Sequence, residues 1–252
     1  MKDAKQTLCE IVNYINSTHH ELSSTLEQIV FNKNLFDANL LLALNDSLLR
    51  KSKSQLRQDI FVLFELNFKK NGYFVEFGAT NGIDLSNTFL LEKEFNWKGI
   101  LVEPAKIWHP DLEKNRDALI DKRCVWKESG ILLQFNQTNE SEFSTIDYLS
   151  SNDHHAKKRE HGEKYSVNTV SLLDLLKEYD APKNIDYLSI DTEGSELDIL
   201  ESFDFNKYSI KVISCEHNYT PIREKLNTLL IKNGYTKKYE QFSQHDDWWV
   251  LK

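Results

Sequence analysis

Apolar residues recur along this chain with two different periods, and the change from one to the other falls at Gly72. Before it, Leu8, Ile15, Leu22 and Ile29 stand seven apart, with Ile11, Val12 and Leu26 beside them, which is the spacing of an amphipathic helix. Thr18 and Thr25 take the remaining seam positions. They weaken a two-stranded coil and favour a helix packed on other surface over a dimerisation helix. The stretches "FDANLLLALNDSLLRK" and "SKSQLRQDIFVLFEL" extend the helical reading. After Gly72, short alternating runs predict strands over 73–77, 99–103, 118–125, 185–190 and 210–215, and two late strands within "GYTKKYEQF" and "DDWWVLK". Helices are predicted between them over 85–95, 108–115, 172–178, 196–203 and 222–232, with Ser171/Asp174 and Ser195/Asp198 as capping boxes.

Strands separated by helices imply right-handed βαβ units, hence an α/β fold with a doubly wound, mostly parallel, seven-stranded Rossmann-like sheet. The last two strands follow one another without a helix, so they should form an antiparallel hairpin at or near the sheet edge. Residues 1–53 form the expected helical extension, for packing or dimerisation, and 54–252 the main domain. Within that domain the polar segment 128–168 breaks the alternation. It offers "ILLQF" as one extra strand and is expected to be an insertion that shapes a substrate pocket.

Composition narrows the classes. A formal charge of −8 argues against sequence-independent binding of nucleic acid. Cys9, Cys124 and Cys215 lie far apart with no CxxC pair, which indicates neither a disulfide framework nor a thiolate metal site and fits a reducing cytoplasm. No apolar run approaches the roughly 18 residues needed to cross a bilayer, so no membrane insertion is expected.

The first candidate chemistry is the turn after the strand 73–77. Glu76-Phe77-Gly78-Ala79-Thr80-Asn81-Gly82 reads acid-x-G-x-x-x-G between a strand and a helix. Glycines there let a ligand approach the backbone closely, at the strand ends where doubly wound sheets bind ligands. Glu103 ends the second strand 21 residues after Gly82, where an acid can accept hydrogen bonds from both hydroxyls of a ribose. The dinucleotide pattern G-x-G-x-x-G is absent, and Glu76 would repel a pyrophosphate but suits an ammonium. The expected ligand is S-adenosylmethionine, held by Glu76, Gly78, Asn81, Gly82 and Glu103, with Ser86 and Asn87 near its methionine end.

The segments "SQLRQDIFVLFEL", "GYFVEFGATNGIDLSNTFLLEKEFNWKGILVEP", "NIDYLSIDTEGSELDIL" and "CEHN" together resemble the FkbM-family methyltransferases over about 54–250. The resemblance implies a class I methyltransferase fold that uses S-adenosylmethionine, usually to O-methylate sugars or other hydroxylated natural products. Residues 1–50 lie outside it.

Transfer to a sugar hydroxyl requires a base or a metal at the acceptor, because the hydroxyl is almost un-ionised at neutral pH. Asp191 and Glu193 follow the fourth strand; Glu216, His217 and Asn218 follow the fifth. By similarity to metal-dependent O-methyltransferases of the catechol type, Asp191, Glu216 and His217 are candidate ligands for Mg²⁺ or Mn²⁺. Without a metal, His217 is the candidate base, and His109 a second one. The bland alternative is that Asp191 and Glu193 cap the next helix and His217 is a satisfied histidine. Gln55, Gln58, Glu193 and Asn218 are placed near the acceptor or cofactor, and Trp108, Trp248 and Trp249 are possible sugar platforms. His154, His155 and His161 in "NDHHAKKREH" read as a solvated basic face, from which Lys157 or Arg159, or else the distant Arg223, would grip the diphosphate of a nucleotide sugar. The expected activity is O-methylation of a nucleotide-activated or glycan-linked sugar, as in capsule or other surface polysaccharide synthesis. The alternatives are a nicotinamide-dependent oxidoreductase, or an assembly module that forms a homodimer through its N-terminal helices and keeps a vestigial pocket.

Overall fold

The strands follow in the order β1 (Tyr73–Phe77), β2 (Lys98–Val102), β3 (Leu119–Asp121), β4 (Cys124–Val125), β5 (Leu132–Gln137), β6 (Thr145–Ile146), β7 (Glu163–Val170), β8 (Asn184–Ile190), β9 (Ser209–Glu216), β10 (Tyr235–Lys238) and β11 (Asp246–Leu251). The helices are α1 (Asp46–Lys51), α2 (Gln58–Glu65), α3 (Phe89–Phe95), α4 (His109–Asn115), α5 (Leu172–Glu178), α6 (Glu196–Glu201) and α7 (Ile222–Lys232). This computed structural model describes residues 46–252 apart from Asp153 and Gln241, so the heptad-like stretch 8–29 lies outside the described residues.

β1 is buried along nearly its whole length because parallel strands flank it on both sides, β2 in one direction and β8 in the other. The sheet order is β3-β2-β1-β8-β9-β11-β10. β11 runs antiparallel to both β9 and β10, which makes the late hairpin the sheet edge, as its missing helix requires. The chain order reverses between β1 and β8, and a crevice opens beyond the carboxyl ends of these strands. Val75, Ile100, Leu188 and Ile213 pack on the sheet against Leu176, Ile199 and Leu230 of the helices. Cys124 and Cys215 are buried and free. No helix among the described residues is long and apolar enough to cross a membrane.

Four elements depart from their expected form. The run 118–125 is two strands: Asp121 accepts Arg123 N–H at 2.8 Å and its side chain at 2.6 Å, turning the chain so that β3 joins β2 while β4 joins β7. The segment 128–168 makes more than one strand. β5, β6 and β7, with β4, form a second sheet of order β4-β7-β5-β6 around a core that includes Trp126, Phe135, Ile146 and Val167. Helix α3 starts at Phe89 rather than 85, because the donors of residues 86–88 are drawn onto Glu76. Finally, Ser171 caps α5 by accepting Asp174 N–H at 3.2 Å, whereas Ser195 donates to Thr192 Oγ1 instead of capping α6.

Candidate active site

A cavity of about 460 Å³ occupies the crevice beyond β1, β2, β8 and β9. Its floor is made by residues that the sheet delivers together: Glu76 and Gly78 from β1, Glu103 from β2, Asp191 from β8 and Glu216 from β9. The segment 128–168 adds further lining, including Ile146 of β6 and Phe143 and His155 from its turns.

The glycine turn is built around Glu103. One carboxylate oxygen accepts Thr80 N–H at 2.8 Å and the other accepts Ala105 N–H at 2.7 Å, which fixes the turn against the end of β2. Burial pushes this carboxyl up to about 7 despite those donors. Gly78 has φ +77°, and a Cβ there would lie 2.1 Å from the Asp191 carbonyl oxygen. The position therefore demands glycine twice, by backbone conformation and by close approach.

Glu76 gathers the loop that follows. Its carboxylate accepts Asn87 N–H at 2.6 Å and Ser86 Oγ–H at 3.0 Å, and also the Thr88 hydroxyl. The Arg116 guanidinium lies 3.7 Å away, fully buried. Burial still raises the Glu76 carboxyl above its usual range. The arrangement aims Asn87 into the cavity, where Nδ2 donates to Ser189 Oγ at 2.9 Å and Oδ1, buried, has no partner. An orphaned acceptor beside a glycine cradle and a strand-end acid suits an ammonium-bearing nucleoside.

Three expected cofactor contacts are structural instead. Asn81 spends its side chain on Ile83 N, Asp84 N and Asp84 Oδ2. Gly82, at φ +81°, lies against Arg116 and Leu112, and the Ser86 hydroxyl is held between Glu76 and Arg116. None of the three lines the cavity.

Beyond β8 and β9, Asp191, Glu193 and Glu216 each bring a carboxylate oxygen within 4.8 Å of the others. Burial raises both Asp191 and Glu216 above the usual carboxylate range, helped at Asp191 by the negative Glu196 and Glu76 and at Glu216 by Asp191, Glu193, Glu196 and Asp246. The "DTEGSE" turn has its own reason: Glu196 accepts Thr192 N–H at 2.9 Å and Gly194 N–H at 3.1 Å, so the chain wraps this carboxylate and carries Glu193 at φ 57°.

His217 does not join this cluster. Its Nδ1 accepts Tyr219 N–H at 3.0 Å, and Nε2 lies 3.1 Å from the Asp246 carbonyl oxygen, to which it donates. Both ring nitrogens are used, burial lowers the imidazole below its usual value, and the residue does not line the cavity. The structure thus corrects both roles expected of His217 and puts Glu193 in its place among the acids. His109 is corrected likewise: its Nε2 pairs with the Glu103 carbonyl at 2.8 Å, bracing β2, away from the cavity. Arg159 is buried, with Nη2 2.6 Å from Glu193 Oε2 and Nε donating to the Phe143 carbonyl at 2.7 Å. It ties the insertion to the β8 turn and is not presented to a diphosphate. Arg223 is held by Asp247 and Glu240, Gln58 by Asp246, and Trp248 and Trp249 are buried in the sheet layers. Trp108, Lys157 and His161 do not line the cavity either.

Gln55 and Asn218 line the cavity. So do His154 and His155, expected on a solvated face, and Tyr219 and His245, which no sequence pattern singles out as site residues. For Tyr219 the available signal is an aromatic residue directly after the polar end of β9. His245 follows no local pattern.

The buried acids set a pH dependence of stability. Glu103 titrates at about 7 and Asp246 at about 8 in the fold, with Asp191 and Glu216 also raised, whereas all four ionise near 4 when unfolded. Between about pH 4 and 8 the folded state keeps protons that the unfolded chain has lost, so stability falls as pH rises through this window and levels off above the folded values. The melting temperature of the ligand-free protein should be lower at the higher pH, and the Glu103→Gln variant should flatten the slope. A rising melting temperature over this window would contradict the protonated cluster.

Residues 76–251 match the family model of the methyltransferase FkbM domain. Among solved structures, the O-methyltransferase from Bacillus cereus in complex with SAH is 13% identical, with 98% of this chain and 100% of that chain covered and a TM-score of 0.42. The precorrin-6y C5,15-methyltransferase from Geobacter metallireducens GS-15 is 11% identical, with 76% and 84% covered and a TM-score of 0.39. The ribosomal protein L11 methylase from Lactobacillus delbrueckii subsp. bulgaricus is 12% identical, with 77% and 76% covered and a TM-score of 0.40. No curated protein matches the chain.

Proposed function

Because the chain belongs to the methyltransferase FkbM domain family, an S-adenosylmethionine-dependent group, we propose that it O-methylates a hydroxyl of a sugar. The single observation that supports the reading is that one cavity brings together a glycine cradle, Glu103, the unpartnered Asn87 Oδ1 and the raised acids Asp191 and Glu216. The family assignment also displaces the oxidoreductase alternative, whose dinucleotide turn the chain lacks.

S-adenosylmethionine supplies an electrophilic methyl group on a sulfonium. The protein has to hold it and to free the acceptor oxygen. Glu103 would hold the ribose hydroxyls, and Asn87 Oδ1 the ammonium. Gly78 keeps the backbone close enough for both. The Asp191–Glu216 pair takes the acceptor's proton: a carboxyl pair that keeps its proton toward neutrality is a stronger base, once ionised, than an ordinary carboxylate. The insertion, pinned through Arg159 and Glu193, adds Phe143, Ile146 and His155 to the cavity lining.

A second reading comes from the three carboxylates. Asp191, Glu193 and Glu216 form an oxygen-only set that fits Mg²⁺ or Mn²⁺, with Glu193 in the place expected for His217. Such an ion would lower the pKa of the acceptor hydroxyl. One experiment addresses both readings: mass spectrometry of candidate sugars for a gain of one methyl group, with and without a chelator. Activity that survives the chelator assigns proton removal to the acid pair, and loss restored by Mg²⁺ or Mn²⁺ assigns it to the metal. If calorimetry shows no heat of binding for S-adenosylhomocysteine, the proposal fails.

A further inference from the structure

The lining of the cavity has a chemical bias of its own. Six carboxylates line the cavity as a whole: Glu76, Glu103, Glu142, Asp191, Glu193 and Glu216. No lysine or arginine lines it among the described residues. The cations nearest in purpose are committed elsewhere, Arg159 to Glu193 and Arg223 to Asp247 and Glu240. Nor does the turn before α6 offer amides to an anion, since Thr192 N–H and Gly194 N–H already serve Glu196. A phosphate or diphosphate is normally gripped by guanidinium, ammonium or free backbone amides. This cavity provides acids instead.

An aromatic platform stands beside them. Tyr219 lines the cavity yet is 67% exposed, an unusual place for a large ring. Asn218 and Tyr219 both have positive φ, 45° and 55°, a costly pair for residues other than glycine. The strained pair is held by His217, whose Nδ1 accepts Tyr219 N–H, and by the His245 carbonyl, which accepts Asn218 N–H at 3.2 Å. His217, displaced from catalysis, thus fixes the backbone that presents the tyrosine. The insertion contributes a second aromatic surface, with the Phe143 and His155 rings stacked at 4.3 Å, and both residues line the same cavity.

We propose that the acceptor is a sugar ring carrying no phosphate, one face of which rests on Tyr219, so that a neutral or amino glycoside is accepted and a nucleotide-activated sugar is not. The proposal rests on the methyltransferase reading and narrows its substrate class. A sugar face of C–H bonds packs on an aromatic ring and its hydroxyl or amino groups find acceptors among the surrounding carboxyl groups, whereas a phosphate finds neither a lining lysine or arginine nor a free amide of the turn before α6.

The test uses the full chain saturated with S-adenosylhomocysteine, at about pH 8 so that imidazoles are neutral. Probes are methyl glycosides of common hexoses and of glucosamine, each paired with its 1-phosphate and its uridine diphosphate derivative, followed by saturation-transfer NMR. The best methyl glycoside should bind at least tenfold more tightly than its phosphorylated partners. Tyr219→Ala should weaken that glycoside at least fivefold, Tyr219→Phe should restore it, and neither should change the affinity for S-adenosylhomocysteine. Tighter binding of a phosphorylated partner, no detectable glycoside binding, or indifference to Tyr219→Ala overturns the inference. In each of these cases an intact heat of S-adenosylhomocysteine binding shows that the methyltransferase reading stands; loss of that heat takes down both.

Discussion

Asp191→Asn is expected to lower turnover by roughly 10²–10⁴-fold, the range that a positioned general base contributes, while leaving affinity for S-adenosylhomocysteine within about twofold. Asn reproduces the shape of a protonated aspartic acid and can donate to the carboxylates around it, so the cavity should survive. What it loses is the ability to take a proton. Burial and neighbouring Glu196 hold the Asp191 carboxyl above its usual range, which places its ionisation where a base is useful. The same variant should be stabilised relative to the parent at about pH 8.5, because a buried negative charge no longer has to form there. Single-turnover methyl transfer and thermal melting at two pH values measure the two effects. Unchanged turnover would remove Asp191 from the chemistry, whether it acts as base or as metal ligand.

The second large effect is expected at Gly78. Replacement by Ala asks for φ +77° from a residue with a Cβ, and places that Cβ 2.1 Å from the Asp191 carbonyl oxygen. The left-handed conformation costs about 1–2 kcal/mol and the overlap about 1–3 kcal/mol more. At about 2–4 °C per kcal/mol for a domain of this size, the melting temperature should fall by roughly 5–15 °C. The overlap is relieved by shifting the turn after β1 away from the turn after β8, and both turns line the cavity. Affinity for S-adenosylhomocysteine should therefore drop at least tenfold, by calorimetry below the melting range. Gly130 is the control: its φ is +79°, but nothing lies within 4 Å of a Cβ built there. Gly130→Ala should show only the conformational cost and leave ligand affinity intact. Equal effects at both positions would mean that the close approach to Asp191 does not matter.

The fold is legible wherever a local pattern carries it. The alternating and helical periods place five of the main strands, and α5 and α7, within a residue or two, because side-chain alternation depends on neighbours a few positions away. The late hairpin follows from a missing helix. The run 118–125 departs from its pattern because its apolar residues serve two sheets in succession, and the choice between them depends on β7, more than forty residues later. The start of α3 departs because Glu76, eleven residues upstream of Asn87, competes for the donors that would have opened the helix.

The site divides along the same line. Gly78 and Glu103 can be found in the sequence, since a sharp turn after a strand and an acid at the end of the next are local requirements of a doubly wound sheet. His217 cannot be judged that way: its ring nitrogens are satisfied by Tyr219 N–H and by the Asp246 carbonyl, the latter 29 residues distant. Arg159 reads as a cation for a phosphate until the fold sets it against Glu193, 34 positions away. Sequence alone determined that strand ends, glycines and acids would meet in one crevice, because periodicity and turn chemistry are short-range. Which acids come within reach of one another, which cations are already paired and which ring lines the cavity were decided by tertiary contacts, because charge pairing and burial depend on distance in space rather than along the chain.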